Sequence, residues 1–362
     1  MLKIRNMKKI LPIITILSGI SVLPSFCQLD SVNNQYAVSD TLEENIKLFD
    51  SDELLEISLK FDITTYRRKK NDQEYLDATL IYHLSPNDSI VKALRVRPRG
   101  IMRLSVCDFP PLMLNFHKED STGKEFSRVD KIKMVTHCSA GGEEYLLKEF
   151  LAYKLYNVLT DYSFRARLLR VNYINTAKAS KPIREFAFVI EPEEILGKRL
   201  GAVEVKSPNI TQKHIRPEIM DRLAIFNYMI GNTDWTVPVF HNNVLVMSQA
   251  KFQGSESGIA IAYDFDYAGL VNTNYAVPAD ALGLKSVLER RYLGMCRSEE
   301  TFINALKEFS DKKEELYKVI NDFQYLNPKV KKQMITYLEG FYSGFDKRNS
   351  IVFKLRSECL NF

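Results

Sequence analysis

Four oxygen-bearing side chains stand out in two short, otherwise largely apolar stretches. Asp234 and Asn242 lie in "GNTDWTVPVFHNNVLV", and Asp264 and Asp266 lie in "YDFDYAG". Carboxylates and amides are not normal choices for filling a core. One amide oxygen and a carboxylate suit a divalent cation such as Mg²⁺, while a carboxylate left unliganded can accept a proton. The residue types therefore predict a phosphoryl-transfer site with a base, a metal-binding asparagine and a metal-binding aspartate.

Two predicted strands bring these stretches together. The run "HNNVLVM", the turn "QGSESG" and the run "IAIAYDFDYAG" are typical of a β-hairpin, whose two ends lie side by side. We therefore expect Asn242 and Asp264 to be neighbours across the ladder. Asp234 follows a helix whose end is marked by Gly231, so it is expected to face both residues from the mouth of the same loop.

The rest of the chain predicts an α+β fold with two lobes, a strand-rich one over 53–190 and a helical one over 191–362. The runs that predict strands of an antiparallel sheet are "LLEISLKFDI", "DATLIYHL", "KALRVRPRG", "PPLMLNFHK", "DKIKMVTHC", "LLRVNYIN" and "REFAFVIEP". In "GGEEYLLKEFLAYKLYNVLT" the period becomes helical with two apolar faces, which places this helix between two layers. Helices dominate from Arg216, and the chain beyond Leu282 is predicted to be helical to its end.

The first residues are typical of an export signal, because four basic residues precede an apolar run. We predict a signal peptide over 1–27 and a polar leader over 28–52. The run is shorter than the about 20 residues that a bilayer requires, so no transmembrane anchor is expected. The protein is then periplasmic or secreted. A lipoprotein acylated at Cys27 is less favoured, because Phe26 stands where a small residue is normal.

Charge and cysteine content narrow the choice of partner and compartment. Without the four basic residues of the signal, the formal net charge falls from +5 to +1, which gives no electrostatic case for nucleic acid. The cysteines that remain after cleavage are Cys107, Cys138, Cys296 and Cys359. A Cys107–Cys138 disulfide is the best pairing, since both lie in apolar strand-like stretches. Four buried thiols are an equal alternative.

The order of these blocks resembles a known family. The segment "GNTDW…HNNVLV…IAYDFDYAG" is similar to the catalytic segment of the CotH-type atypical protein kinases. The blocks "RVRPRG", "CDFPPLMLNF", "KIKMVTHC" and "RLLRVNYIN" resemble upstream blocks of an exported CotH-like subgroup. The resemblance implies a two-lobed kinase-like fold, ATP or another nucleotide with Mg²⁺ (alternatively Mn²⁺ or Ca²⁺), and a hydroxyl acceptor on a protein.

The resemblance also implies roles for single residues. Asp234 matches the catalytic aspartate, and Asn242 matches the metal-binding asparagine, with Asn243 as the alternate. Asp264 matches the metal-binding aspartate of a DFG-like element, with Asp266 as a second ligand. Here "DFD" departs from DFG.

A nucleotide is expected in the N-terminal lobe. The candidate residues that bind it are Arg97, Arg99, Gly100, Lys133, Glu149 and Glu191. The first three lie in the turn "RPRG", where forked arginine donors can bind phosphate oxygens. Lys133 and Glu149 follow the order of the strand lysine and helix glutamate that pair in kinases, although a solvated lysine and glutamate are an equal alternative. Glu149 shares its helical stripe with tyrosines, which indicates a covered position. Glu191 lies in "FAFVIEP", whose backbone could meet adenine at a hinge.

Two other functions fit the same residues. Asp264 and Asp266 could form a structural Ca²⁺ site in a catalytically silent module that binds surface glycans or proteins. A metal-dependent phosphohydrolase would hold ions with that pair and activate water with Asp234. The sequence contains neither G-x-S-x-G nor G-x-x-x-x-G-K-[ST], so a lipase-type serine nucleophile and a P-loop are not supported.

Overall fold

The computed structural model describes residues 47–85, 88–116, 130–206, 210–248, 258–345 and 350–361. These ranges belong to one unit, Asn45–Phe362. The predicted signal peptide and positions 28–46 of the predicted leader lie outside them. The end of that leader, Lys47–Phe49, forms a 3-10 helix in which Leu48 is buried. Within the described ranges, no helix combines the length and apolar character needed to cross a bilayer.

The strands predicted from alternating residues are present, but they close into a barrel. The barrel strands are β1 (Leu55–Phe61), β2 (Leu76–Ser85), β3 (Asp88–Pro98), β4 (Leu112–Phe116), β5 (Lys131–Val135), β6 (Ala166–Asn175) and β7 (Ile183–Ile190). Their order is β1-β2-β3-β4-β5-β7-β6, and β1 closes the barrel by pairing parallel with β6. The expectation of a purely antiparallel sheet is therefore wrong. Alternation identifies strands, but it does not identify which strands meet at the edges.

The helices alternate with this sheet and then follow it. They are α1 (Ile63–Lys69), α2 (Met102–Val106), α3 (Glu143–Leu159), α4 (Glu193–Arg199), α5 (Pro217–Ile230), α6 (Glu299–Asp311), α7 (Lys313–Asn321), α8 (Pro328–Tyr342) and α9 (Ser350–Glu358). A small second sheet has the order β10 (Ile259–Ala262), β9 (Asn243–Ser248), β8 (Ala202–Glu204). The α+β class is confirmed, while the division into two lobes stays a prediction.

The prediction of continuous helix beyond Leu282 is wrong. Residues 283–298 form irregular backbone. Arg290 holds this segment by donating from Nε to the Met229 carbonyl (3.1 Å) and from Nη2 to the Tyr337 carbonyl (2.5 Å). Side-chain contacts to neighbouring helices thus replace the helical hydrogen bonds that the apolar spacing suggested.

The buried residues follow the strand alternation and the helical period that the sequence shows. Along β6, Leu169 lies inside the barrel, whereas Leu168 packs outside it in a second core. Helix α3 belongs to that second core and buries residues on two faces, including Leu147 and Tyr156. It packs against β6 and β7 on one side and α7 on the other. The expected location of this helix between two layers is confirmed.

Both disulfides allowed by the cysteine count are formed. Cys107 pairs with Cys138, as predicted, and Cys296 pairs with Cys359. The alternative of four free thiols is wrong. Disulfides form and persist in oxidising compartments, which fits an extracytoplasmic protein.

Acid is expected to destabilise the fold through His137. This ring is 6% exposed and lies 5.0 Å from the Phe109 ring. Burial, together with the charge of Arg67, lowers the pKa of His137 to about 4. An unfolded histidine binds its proton near pH ~6.5, so the stability that neutral His137 contributes is complete above that pH and is lost as the pH falls towards 4. Between pH 7 and pH 4.5, His137→Phe should lose about 2 kcal/mol less free energy of unfolding than the wild type in urea titrations. Equal losses would contradict this role.

Candidate functional site

A buried asparagine pair fixes the loop that carries Asp234. Helix α5 ends at Gly231, whose φ of 68° is in the left-handed region that favours glycine. Asn232 then donates from Nδ2 to the Asn227 Oδ1 (2.9 Å), and its own Oδ1 accepts from the Asp234 backbone N–H (3.1 Å). Both asparagines are almost completely buried. They set the direction in which the chain presents Asp234.

The Asp234 carboxylate is held by two neighbours and remains 35% exposed. His241 Nε2 donates to its Oδ1 (2.8 Å), and Asn242 Nδ2 donates to its Oδ2 (3.0 Å). Asn242 has φ 53°, an uncommon conformation for a residue other than glycine. The structure therefore brings Asp234 and Asn242 into direct contact, with a surface of the carboxylate left open.

The hairpin places Asp264 beside this pair. Strands β9 and β10 are antiparallel with Asn243 opposite Ala262, and the Tyr263 N–H donates to the Asn242 carbonyl (3.1 Å). The predicted pairing of the two hairpin strands is confirmed, while most of the predicted turn "QGSESG" lies outside the described residues. Asp264 lies one residue beyond the partner of Asn242. Asp264 also has a left-handed φ, 62°, and its N–H donates to the Tyr153 hydroxyl on α3 (2.9 Å). Such conformations are retained where the surroundings determine them, often at functional sites.

Arg103 on α2 joins three carboxylates at the centre of the site. Its Nε donates to Asp266 Oδ2 (2.8 Å), and its Nη2 donates to Glu149 Oε2 (2.6 Å). The same Nη2 lies 3.7 Å from Asp264 Oδ1. The side chains of Glu149 and Asp266 are 3% and 7% exposed, whereas that of Asp264 is 37% exposed. Asp264 is thus the carboxylate that solvent or a ligand can reach.

The three carboxyl groups of this cluster have different pKa values. Burial raises the pKa of Glu149 to about 8, although the charge of Arg103 opposes the shift. Burial and the charge of Asp266 raise the pKa of Asp264 to about 6. For Asp266, burial is outweighed by Arg103, which holds the pKa of that carboxyl below its usual value. Carboxylates separated in this way are typical of functional sites.

Asn242 links the Asp234 loop to Asp264. Its Nδ2 donates to Asp234 Oδ2 (3.0 Å), and its carbonyl accepts from the N–H of Tyr263, the residue before Asp264 (3.1 Å). Burial raises the pKa of Tyr267, and the charges of Asp266, Asp234 and Asp264 add to the shift. The roles of these residues as metal ligands and base stay predictions.

Two cations lie near Tyr263, the residue before Asp264. Lys133 on β5 forms an ion pair with Glu193, and its ammonium lies 4.9 Å from the centre of the Tyr263 ring. Arg99 acts electrostatically on Glu193, Tyr263 and Asp264. Gly100, at φ 95°, turns the chain from Arg99 into α2. Arg99 is thus within electrostatic reach of Asp264, and Lys133 lies beside Tyr263.

The expected Lys133–Glu149 pair is wrong. Glu149 is covered by protein, as its stripe of tyrosines suggested, but its partner is Arg103, while Lys133 contacts Glu193. Sequence order alone could not distinguish these pairings. Helix α2, which follows the turn at Gly100, also brings a basic residue, Arg103, to Glu149 on α3.

Two other candidates make their contacts elsewhere. Arg97 donates to the Asp72 carbonyl and lies over the Tyr75 ring, so the structure does not bring it to the aspartates. Glu191 is 1% exposed, and its carboxylate accepts from Arg165 and Arg199. Its backbone N–H already donates to the Arg165 carbonyl (2.9 Å). The Glu191 carboxylate therefore has a structural role, while a contact of this segment with a nucleotide stays a prediction.

Asn242 and Asn243 have different environments. Asn243 is 2% exposed, and its Nδ2 donates to the carbonyls of Thr236 (2.9 Å) and His241 (2.8 Å). These hydrogen bonds hold the buried side of the loop between Thr236 and Asn243. Asn242 is the member of the pair that contacts Asp234.

Several residues of the site were missed from the sequence. Arg103 follows "RPRG" by three positions, but a lone arginine in a short helix is normally solvated. Tyr275 donates to Asp266 Oδ2 (2.8 Å) from a loop with no motif. Asn227 and Asn232, which fix the Asp234 loop, did leave a signal in the sequence, because two asparagines flank Gly231 in "FNYMIGNTDW".

Comparisons with known proteins add little to this geometry. No family model and no curated protein matches the chain. Among solved structures, the chain is similar to the crystal structure of the Helicobacter pylori proinflammatory kinase CtkA. The match has 11% identity and a TM-score of 0.36, and it covers 78% of this chain and 93% of that one. Similarity at this level assigns neither a fold family nor an activity.

Proposed function

We propose that this protein is an exported kinase-like phosphotransferase, which transfers a phosphoryl group from a nucleotide to a protein hydroxyl with Mg²⁺. The observation that carries the proposal is that Asn242 joins the two stretches, because its Nδ2 donates to Asp234 Oδ2 and its carbonyl accepts from the N–H of Tyr263, next to Asp264. In this arrangement Asp234 accepts the proton of the acceptor hydroxyl, because its carboxylate is both positioned and open. Its bonds to Asn242 and His241 hold it in place while it does so.

The donor set suits a hard divalent cation. Asp264 is partly exposed, Asn242 is beside it, and the Oε1 atom of Glu149 is buried without a hydrogen-bond partner. Oxygen donors of these types are what Mg²⁺ binds, and the ion would neutralise phosphate charge. No three His, Cys, Asp or Glu side chains of the described ranges are gathered as ligands of a single ion, and Arg103 lies among the carboxylates.

Arg99 and Lys133 are the residues we assign to the phosphates. Arg99 acts electrostatically on Asp264, Lys133 lies over the ring of the preceding residue Tyr263, and no ion pair joins the Arg99 guanidinium to a described residue. A guanidinium can bind phosphate through two parallel hydrogen bonds. Tyr263 offers an apolar surface for the rest of the nucleotide.

A label-transfer experiment tests the proposal. The chain is incubated with γ-labelled ATP and Mg²⁺, alone and with casein as the probe acceptor. Protein-bound label that disappears with EDTA is the expected result. Release of free phosphate without protein labelling would identify a phosphohydrolase instead, and no turnover of ATP at all would contradict both activities.

Two arginines of one turn give a matched comparison of nucleotide affinity. Arg99→Ala is expected to weaken Mg²⁺–ATP binding about tenfold, since it removes a charged hydrogen-bond donor worth about 1.4 kcal/mol. Arg97→Ala should leave the affinity unchanged, because Arg97 is held by Asp72 and Tyr75. Calorimetric titration of both variants checks this. An equal effect of the two substitutions would refute the assignment of Arg99.

A further inference from the structure

We propose that Arg103 occupies the place of the divalent cation, so that the guanidinium and the ion compete for the same carboxylates. This inference rests on the proposed function, since it concerns how that site is loaded. Arg103 reaches Glu149, Asp266 and Asp264 from one guanidinium. An ion bound by these oxygens and the guanidinium that now contacts them cannot share the same space.

The negative charge of the cluster favours a cation that carries more positive charge than one arginine. Two aspartates, Asp264 and Asp266, face a single guanidinium even when Glu149 is protonated, and Glu149 Oε1 is left unpartnered although the residue is 2% exposed. A buried polar atom without a partner is rare and calls for an explanation. A divalent cation would supply both the second positive charge and the missing partner.

The construction of α2 allows Arg103 to leave. This five-residue helix has one buried side chain, that of Arg103 itself. Of its apolar side chains, Leu104 is half-buried but belongs to neither core, while Met102 and Val106 are exposed by 45% and 42% and the preceding Ile101 by 91%. Packing against the two cores therefore does not hold α2 in place once the arginine is displaced.

The two ends of α2 define the movement. At its start, the turn at Gly100 has φ 95° and precedes the helix without a side-chain cap. At its end, the buried Cys107 is fixed to Cys138 by the disulfide. Displacement of Arg103 is then a swing of α2 about Cys107, which moves Arg103 out of the cluster and keeps the chain beyond Cys107 fixed.

Removing the competitor should tighten ion binding. With Mn²⁺ as the probe, measured by the paramagnetic resonance signal of the free ion, Arg103→Gln is expected to bind at least tenfold more tightly than the wild type. Mn²⁺ should also raise the melting temperature of this variant more than that of the wild type, because the ion replaces the missing charge. The matched control is Arg297→Gln, which breaks the ion pair with Asp221 on α5 (2.7 Å) and should leave Mn²⁺ affinity unchanged.

The outcomes separate this inference from the proposed function. A folded Arg103→Gln that binds Mn²⁺ no more tightly than the wild type overturns the competition, while the metal site survives. Absence of Mn²⁺ binding in every variant overturns both. If Arg103→Gln does not fold, Arg103→Lys decides the matter. Its ammonium cannot bridge the carboxylates as a fork does, so tighter binding than the wild type supports the inference and equal binding overturns it.

Discussion

Asp234→Asn is expected to lower the rate of phosphoryl transfer by about 10²–10⁴-fold, the usual contribution of a positioned general base. The substitution keeps the size of the side chain and an oxygen that can accept from Asn242, so the loop should stay in place. What it removes is the ability to take the proton of the acceptor hydroxyl. Rates of label transfer from ATP under saturating nucleotide measure the effect.

The control for this experiment is an aspartate outside the site. Asp311→Asn changes a carboxylate on α6 that is 58% exposed and pairs only with Lys307, so it should retain full activity. Nucleotide affinity of Asp234→Asn should also stay within a few fold of the wild type, because Asp234 acts on the acceptor. Retention of more than about a third of the transfer rate would remove Asp234 from the proton-transfer step.

Glu191→Gln is expected to cost about 3 kcal/mol of the free energy of unfolding. The carboxylate is fully buried and accepts from Arg165 Nε (3.0 Å) and Arg199 Nη2 (2.8 Å). Loss of its charge leaves Arg199 without its counter-ion and Arg165 with Asp50 alone. Removing one partner of an ion pair costs about 3–5 kcal/mol when the pair is fully buried. The lower value applies because the side chains of Arg165 and Arg199 are 28% and 23% exposed. Urea unfolding of the purified variant measures it.

A surface glutamate of the neighbouring helix is the control. Glu194→Gln breaks the ion pair with Lys198, whose side chains are 74% and 50% exposed, and should cost less than about 1 kcal/mol. Folded Glu191→Gln should bind Mg²⁺–ATP with unchanged affinity. Weaker binding at unchanged stability would restore Glu191 to the nucleotide site and remove its structural role.

Periodicity predicted the strands and helices of this fold better than it predicted which of them lie next to each other. The alternation in "LLRVNYIN" and the two-faced helix of "GGEEYLLKEFLAYKLYNVLT" appear as β6 and α3, since burial on two sides leaves a period in the sequence. Closure of the barrel through β1 and β6 left no such trace, because any strand edge could supply the partner. The same difference separates the two cysteine questions: the apolar stretches indicated the Cys107–Cys138 pairing, while the Cys296–Cys359 pair had no local pattern.

The candidate site was predictable where its chemistry needs unusual residues. Asp234, Asn242 and Asp264 are polar groups in apolar stretches, and the hairpin brings them together. Charged residues that compensate other charges were not predictable. Arg103 and Glu193 are ordinary surface types in the sequence, and burial becomes visible only once α2 and α4 are placed against their partners. Glu149 shows the limit clearly, because its burial was foreseen and its partner was not.

Calorimetric titration of the chain with ATP and Mg²⁺ tests the central claim most directly, namely that these side chains form one nucleotide site. We predict a single binding event that requires Mg²⁺ and is weakened about tenfold or more in Asp264→Asn, whose carboxylate is the exposed one of the cluster. The absence of both binding heat and a melting shift at millimolar ATP and Mg²⁺ would contradict the account.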